Sequence, residues 1–106
     1  MKRFIVEIAD EAWTEIERQI QFIAVDRQSP VNAARWSNRL LTAIDDLELM
    51  PRMHTLDEHQ TSEHGTRIYR MVFEKHYLVF YTVDEVKKRV TIVSFRHGAR
   101  QRSSSQ

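Results

Sequence analysis

Apolar and polar positions change period several times along this chain. "RFIVEIA", Arg3 to Ala9, is short, β-branched and alternating, which predicts a strand. Asp10 is placed to cap a helix, with Glu11 in its first turn. Behind it Trp13, Ile16, Ile20 and Ile23 or Ala24 recur every three to four residues, the stripe of an amphipathic helix ending near Arg27. "SPVN" restarts the pattern: Ser29 can cap, and Pro30 suits a first helical position, where its missing N–H costs nothing. Ala33, Ser37, Leu40, Ile44 and Leu47 then mark one face, widened by Ala34 and Leu41, until Pro51 ends the second helix.

"RMHTLDEHQTSEHG" has no period and reads as a loop. Three β runs follow: "TRIYRMVF" (Thr66 to Phe73), "HYLVFYTVD" (His76 to Asp84) and "RVTIVSF" (Arg89 to Phe95). They are joined by "EK" and "EVKK", which are of hairpin length, so an antiparallel meander is expected. The order strand, helix, helix, strand, strand, strand gives an α+β fold. The short link between the helices favours an antiparallel hairpin, packed on one face of the sheet. The other face is expected to stay open unless a partner fills it. A single domain over residues 1–102 is expected, with 103–106 a disordered tail.

Composition bounds the function classes. The 106 residues suffice for one core, and no apolar run approaches the ~20 residues of a membrane helix. Glu7, Asp10 and Glu11 break any leader-like stretch at the N-terminus, which fits a cytoplasmic protein. With no cysteine, disulfides and thiolate metal sites are excluded. The net charge of +1 conceals an asymmetry. Lys87 to Gln106 carries six Lys or Arg and no acid, whereas Met1 to Val86 carries ten basic and fifteen acidic residues. A basic end on an acidic body is suited to a phosphate backbone or an acidic peptide, or is simply a solvated terminus.

The stretch "YLVFYTVDEVKKRVTIVSFRHGARQ" resembles a strand pair followed by a closing His-Gly-x-Arg, here His97, Gly98 and Arg100. It is similar to the RelE/ParE superfamily, the toxin halves of bacterial type II toxin–antitoxin pairs. "SPVNAARWSNRLLTAIDDLELMP" resembles the second helix of the ParE-like branch, and "RIYRMVF" its strand after the long loop. The resemblance covers about Arg3 to Arg102. It implies the RelE/ParE-like fold and a growth-arresting toxin neutralised by a cognate antitoxin. One branch of the superfamily inhibits DNA gyrase by binding. The other cleaves messenger RNA, often on the ribosome, without metal. A homologue that has lost toxicity and only binds antitoxin is a third possibility.

RNA cleavage needs a base at the ribose hydroxyl, a cation at the phosphate and an acid at the leaving oxygen. His97, Arg70 and Arg96 are the catalytic candidates on that reading. Arg67, Arg70, Arg96, His97 and Arg100 are the candidates for gripping an anionic target. Arg67 and Arg70, three apart, are expected on opposite faces of one strand, and Arg96 opposite to His97. Gly98 is expected to turn the chain at a left-handed backbone angle and bring Arg100 back beside Arg96. Tyr77 and Tyr81 share a face with Val79 and Val83, which suits core positions. The middle strand "HYLVFYTV" carries no Lys or Arg, unlike the ribonuclease branch, which favours a gyrase inhibitor that is not itself an enzyme. His54, His59 and His64, five apart in the expected loop, lack the spacing of a metal site, and no metal or cofactor is expected.

Overall fold

The computed structural model describes residues 3–98, and the expected tail at 103–106 lies outside them. Strand β1 is Ile5–Ile8, followed by helix α1, Asp10–Gln21. Ala9, not Asp10, is the capping residue, and Asp10 opens the helix itself. The helix then widens into a π-helical turn, Phe22–Asp26. Gln28, at φ 51°, reverses the chain into α2, Pro30–Asp45, with Ser29 at its N-cap and Pro30 in the first turn. A short 3-10 turn, Asp46–Glu48, completes the helical half before Pro51.

The stretch expected as a loop is instead structured. It holds a two-residue strand β2, Thr55–Leu56, and a short helix α3, Glu58–His64. Asp57 caps α3, its Oδ1 accepting the Gln60 N–H at 2.9 Å, and Gly65 ends it at φ 71°, the left-handed conformation glycine adopts freely. Asp57 with Gln60 three residues on, and Gly65 past the last turn, are the sequence marks of this helix. The helix has no apolar period, so hydrophobic spacing does not reveal it.

Strands β3 (Tyr69–Phe73), β4 (Tyr77–Asp84) and β5 (Arg89–His97) form the expected meander. Glu74 and Lys75 both have positive φ, as a two-residue hairpin turn requires. The sheet order is β1-β5-β4-β3-β2, with β1 parallel to β5 and the other pairs antiparallel. The register of β4 on β5 shifts between Phe80 and Tyr81, where Val93 is the extra residue.

One face of the sheet packs on the helices. Met71, Phe73, Val79, Tyr81, Val90, Ile92 and Phe95 meet Ala12, Ile16, Trp36, Leu40, Ile44 and Leu47. Two expectations shift. Trp13 is 37% exposed, while Gln19 is buried and donates to the Tyr77 hydroxyl at 3.2 Å. Trp36, rather than Ser37, fills the second helix's inner face, with ring centroids 5.2 Å from Tyr77, 5.8 Å from Phe95 and 5.9 Å from Phe73. These edge-on contacts each contribute about 0.5–1.5 kcal/mol beyond area burial. Tyr81 is fully buried and donates to the Pro51 carbonyl at 2.6 Å, tying the helix-to-sheet connection to the central strand.

Candidate target-binding surface

The second face of the sheet carries Arg70, Val72, Leu78, Phe80, Ser94 and Arg96. Register sets their arrangement: Arg70 lies opposite Phe80, Phe80 opposite Ser94, and Leu78 opposite Arg96. The two arginines therefore flank the phenylalanine. The Arg96 guanidinium lies 5.2 Å from the Phe80 ring centroid, and its Nε donates to Ser94 Oγ at 3.2 Å. Phe80 is only 2% exposed although the helices lie on the other side, so this face is not the bare surface that the order of elements suggests. Arg70 is half-buried and donates from one terminal nitrogen to Asp57 Oδ2 at 3.3 Å. Asp57 thus caps α3 with one oxygen and fastens it to β3 with the other.

Arg67 lies before β3 begins and is exposed, so it shares no strand face with Arg70 in either sense. His97 lies on the helix-covered face. Its ring stands edge-on to Tyr77 at 5.0 Å and parallel to His76 at 6.2 Å. Strand alternation puts it on the far side of the sheet from its neighbour Arg96. The structure therefore joins Arg70 with Arg96 and separates both from His97. Arg100 lies outside the described residues.

Gly98 has no positive φ. Its N–H donates to the His76 carbonyl at 2.6 Å, continuing the β4–β5 ladder, and a Cβ there would stand 3.3 Å from that oxygen. Close approach, rather than a left-handed turn, is the local demand for glycine.

Arg70 and Arg96 give this face two cations whose chemistry is suited to holding an anion. Arginine keeps its charge at all working pH values and presents a planar fork of donors. Among the described residues, its side chains include no histidine; Asp57 is engaged with Arg70, Glu7 of β1 lies 3.4 Å from both Arg89 and Thr91, and Glu11 and Glu15 of α1 line a hollow with Ser94 and Arg96. The histidines of α3 and its approach are also occupied separately. His54 is edge-on to Tyr81 at 6.4 Å, His59 Nε2 lies 3.5 Å from Glu63, and His64 Nδ1 lies 3.0 Å from the Gln60 carbonyl. Among the described residues no three His, Cys, Asp or Glu side chains gather as metal ligands would. No helix among them is long and apolar enough to cross a membrane.

The sequence profile of the ParE toxin of the type II toxin–antitoxin system parDE matches residues 6–102. No curated protein matches. Among solved structures, the chromosomal ParDE toxin–antitoxin system from P. aeruginosa superposes with a TM-score of 0.67 at 10% identity, over 90% of this chain and 96% of that one. The toxin–antitoxin complex RelBE2 from Mycobacterium tuberculosis superposes with a TM-score of 0.56 at 19% identity, over 92% and 93%. At these identities the two structures share the fold of this chain.

Proposed function

The chain belongs to the ParE toxin family of type II toxin–antitoxin systems, and from that premise we propose that it arrests growth by binding DNA gyrase and is neutralised by a cognate antitoxin. The observation that carries binding over cleavage is the separation of Arg70 and Arg96 from His97 by the thickness of the sheet. A ribonuclease acting without metal needs proton donors and acceptors beside the cations that hold the phosphate. Here the one histidine candidate, His97, lies across the sheet from the arginine pair, which suits recognition of an anionic surface. The absence of Lys and Arg from β4 supports the same reading. Support for an antitoxin partner comes from family membership and from the two similar structures, both of toxin–antitoxin systems.

The test is controlled expression in a bacterial host, with growth, RNA integrity and DNA supercoiling followed together. Growth arrest with altered supercoiling and intact RNA is the expected result, reversed by co-expression of the neighbouring reading frame. Prompt site-specific messenger cleavage would make the chain a ribonuclease instead. Normal growth with retained antitoxin binding would make it a binding module only.

A further inference from the structure

Beside the row of Arg70, Phe80 and Ser94 runs a second one. Register sets Val72 opposite Leu78 and Leu78 opposite Arg96, so these side chains cross β3, β4 and β5 in line. Neighbouring strands lie about 4.8 Å apart, which puts Val72 and Arg96 about 10 Å from each other. Val72 is 57% exposed, and Leu78 is half-buried. The row is an apolar step that ends in a cation. That cation is held in place: its guanidinium lies over the Phe80 ring, and its Nε donates to Ser94. Both terminal nitrogens of Arg96 keep their donors for a ligand, since no carboxylate among the described residues pairs with them.

The charges around this row separate two kinds of anionic partner. Arg70 is matched by Asp57, Arg89 by Glu7 and Arg18 by Glu15. Arg96 is left unmatched among the described residues, and Glu11, which also has no ion pair there, lines the hollow that Arg96 borders. A nucleic acid gains its affinity by setting several cations against successive phosphates. Here its backbone would meet one uncommitted arginine beside an acidic stretch of α1. A protein surface asks less: one carboxylate for the fork of Arg96, and one apolar side chain for Val72 and Leu78.

We infer that the arginine face recognises a protein epitope of its target, an acidic residue beside an aliphatic or aromatic one, and not the nucleic acid that the target carries. The carboxylate takes two hydrogen bonds from Arg96, and the apolar side chain lies over Val72 and Leu78. One turn of helix, or alternate residues of a strand, presents both groups at the spacing of this row. The inference rests on the gyrase reading above and names the part of that target that is held.

The experiment measures binding of the purified chain to DNA gyrase with and without DNA, and to a short DNA duplex and a single-stranded RNA alone, between ~50 and ~200 mM salt. Two variants accompany the wild type, each checked by circular dichroism. Val72→Lys removes the apolar step and adds a cation, so it weakens a protein epitope and strengthens a phosphate contact. Arg96→Lys keeps the charge and loses the fork. Gyrase should bind without DNA, and both variants should weaken that binding by at least ~10-fold. Affinity should fall less than ~10-fold across the salt range, where a protein with many phosphate contacts loses ~10³–10⁵-fold. Binding that needs DNA, that is as tight to the duplex or RNA alone, or that survives or tightens with Val72→Lys overturns the epitope while leaving gyrase as the target. A wild-type chain that binds gyrase in neither condition removes the gyrase reading, and the epitope falls with it.

Discussion

Arg96 and His97 are consecutive residues on opposite sides of the sheet: the Arg96 guanidinium lies over Phe80, while His97 packs edge-on to Tyr77 beneath the helices. On the proposed reading the two side chains have different tasks, Arg96 meeting the target and His97 closing the end of the core. Arg70→Ala combined with Arg96→Ala should abolish growth arrest, as should Arg96→Ala combined with Arg100→Ala. His97→Ala should retain arrest wherever it folds. Growth curves on induction, with circular dichroism of each variant, measure this. A folded Arg70/Arg96 double variant as toxic as wild type would show that the arginine face makes no target contact.

The two arginines should differ in their effect on stability. Arg96 covers Phe80 from the solvent side, a contact contributing about 1 kcal/mol or less. Arg70 neutralises Asp57, whose side chain is 11% exposed, so Arg70→Ala leaves a largely buried carboxylate without its partner and should cost about 1–3 kcal/mol. Asp57→Ala loses the α3 cap as well, about 0.5–2 kcal/mol in its own right. Urea melts of the three single variants should rank Arg96→Ala as the mildest.

Burial pushes the Tyr81 hydroxyl well above the ordinary tyrosine range, with the charge of Tyr69 adding to the effect. The unfolded chain ionises this group near pH ~10, before the folded chain does. Tyr81 therefore contributes its full stability below about pH 10 and loses it progressively as pH rises further. Tyr81→Phe leaves the Pro51 carbonyl without its donor and should cost about 1–3 kcal/mol at neutral pH. Melting temperatures from pH 8 to 11 should fall more steeply for wild type than for Tyr81→Phe. Parallel curves would mean that Tyr81 does not govern the alkaline limb.

Gly65 and Gly98 should respond differently to alanine. At Gly65, φ of 71° makes any side chain strained, though nothing lies within 4 Å of a Cβ, and about 1 kcal/mol is expected. At Gly98 the difficulty is the His76 carbonyl 3.3 Å away, which a small shift of the strand end relieves. Gly98→Ala should then speed exchange of the Gly98 amide while leaving the global melt within about 0.5 kcal/mol of wild type.

The period of the apolar residues was enough to read two helices and four strands, because each buries a regular stripe. It misled where one large side chain outweighed the period. Trp36 displaced Ser37 from the inner face because an indole buries far more apolar area than a hydroxymethyl group. Gln19 entered the core because Tyr77 offered it a hydroxyl. The β2–α3 insertion was legible only through its caps, Asp57 and Gly65, since α3 is held by hydrogen bonds and one ion pair rather than by an apolar stripe. At the candidate site, alternation alone separated Arg96 from His97. Arg70's attachment to Asp57, thirteen residues earlier in the chain, and the burial of Phe80 between the arginines depend on packing that no local pattern encodes.

The central claim, that this face grips and does not cut, is tested most directly with purified chain, DNA gyrase, relaxed plasmid and messenger RNA in one reaction without added metal beyond the gyrase's own requirement. The account predicts that supercoiling is blocked in proportion to the chain added, that the RNA stays intact, and that Arg70→Ala with Arg96→Ala relieves the block. Undiminished supercoiling beside RNA cut at defined positions, with cleavage slowed ~10²–10⁴-fold by His97→Ala, would contradict it.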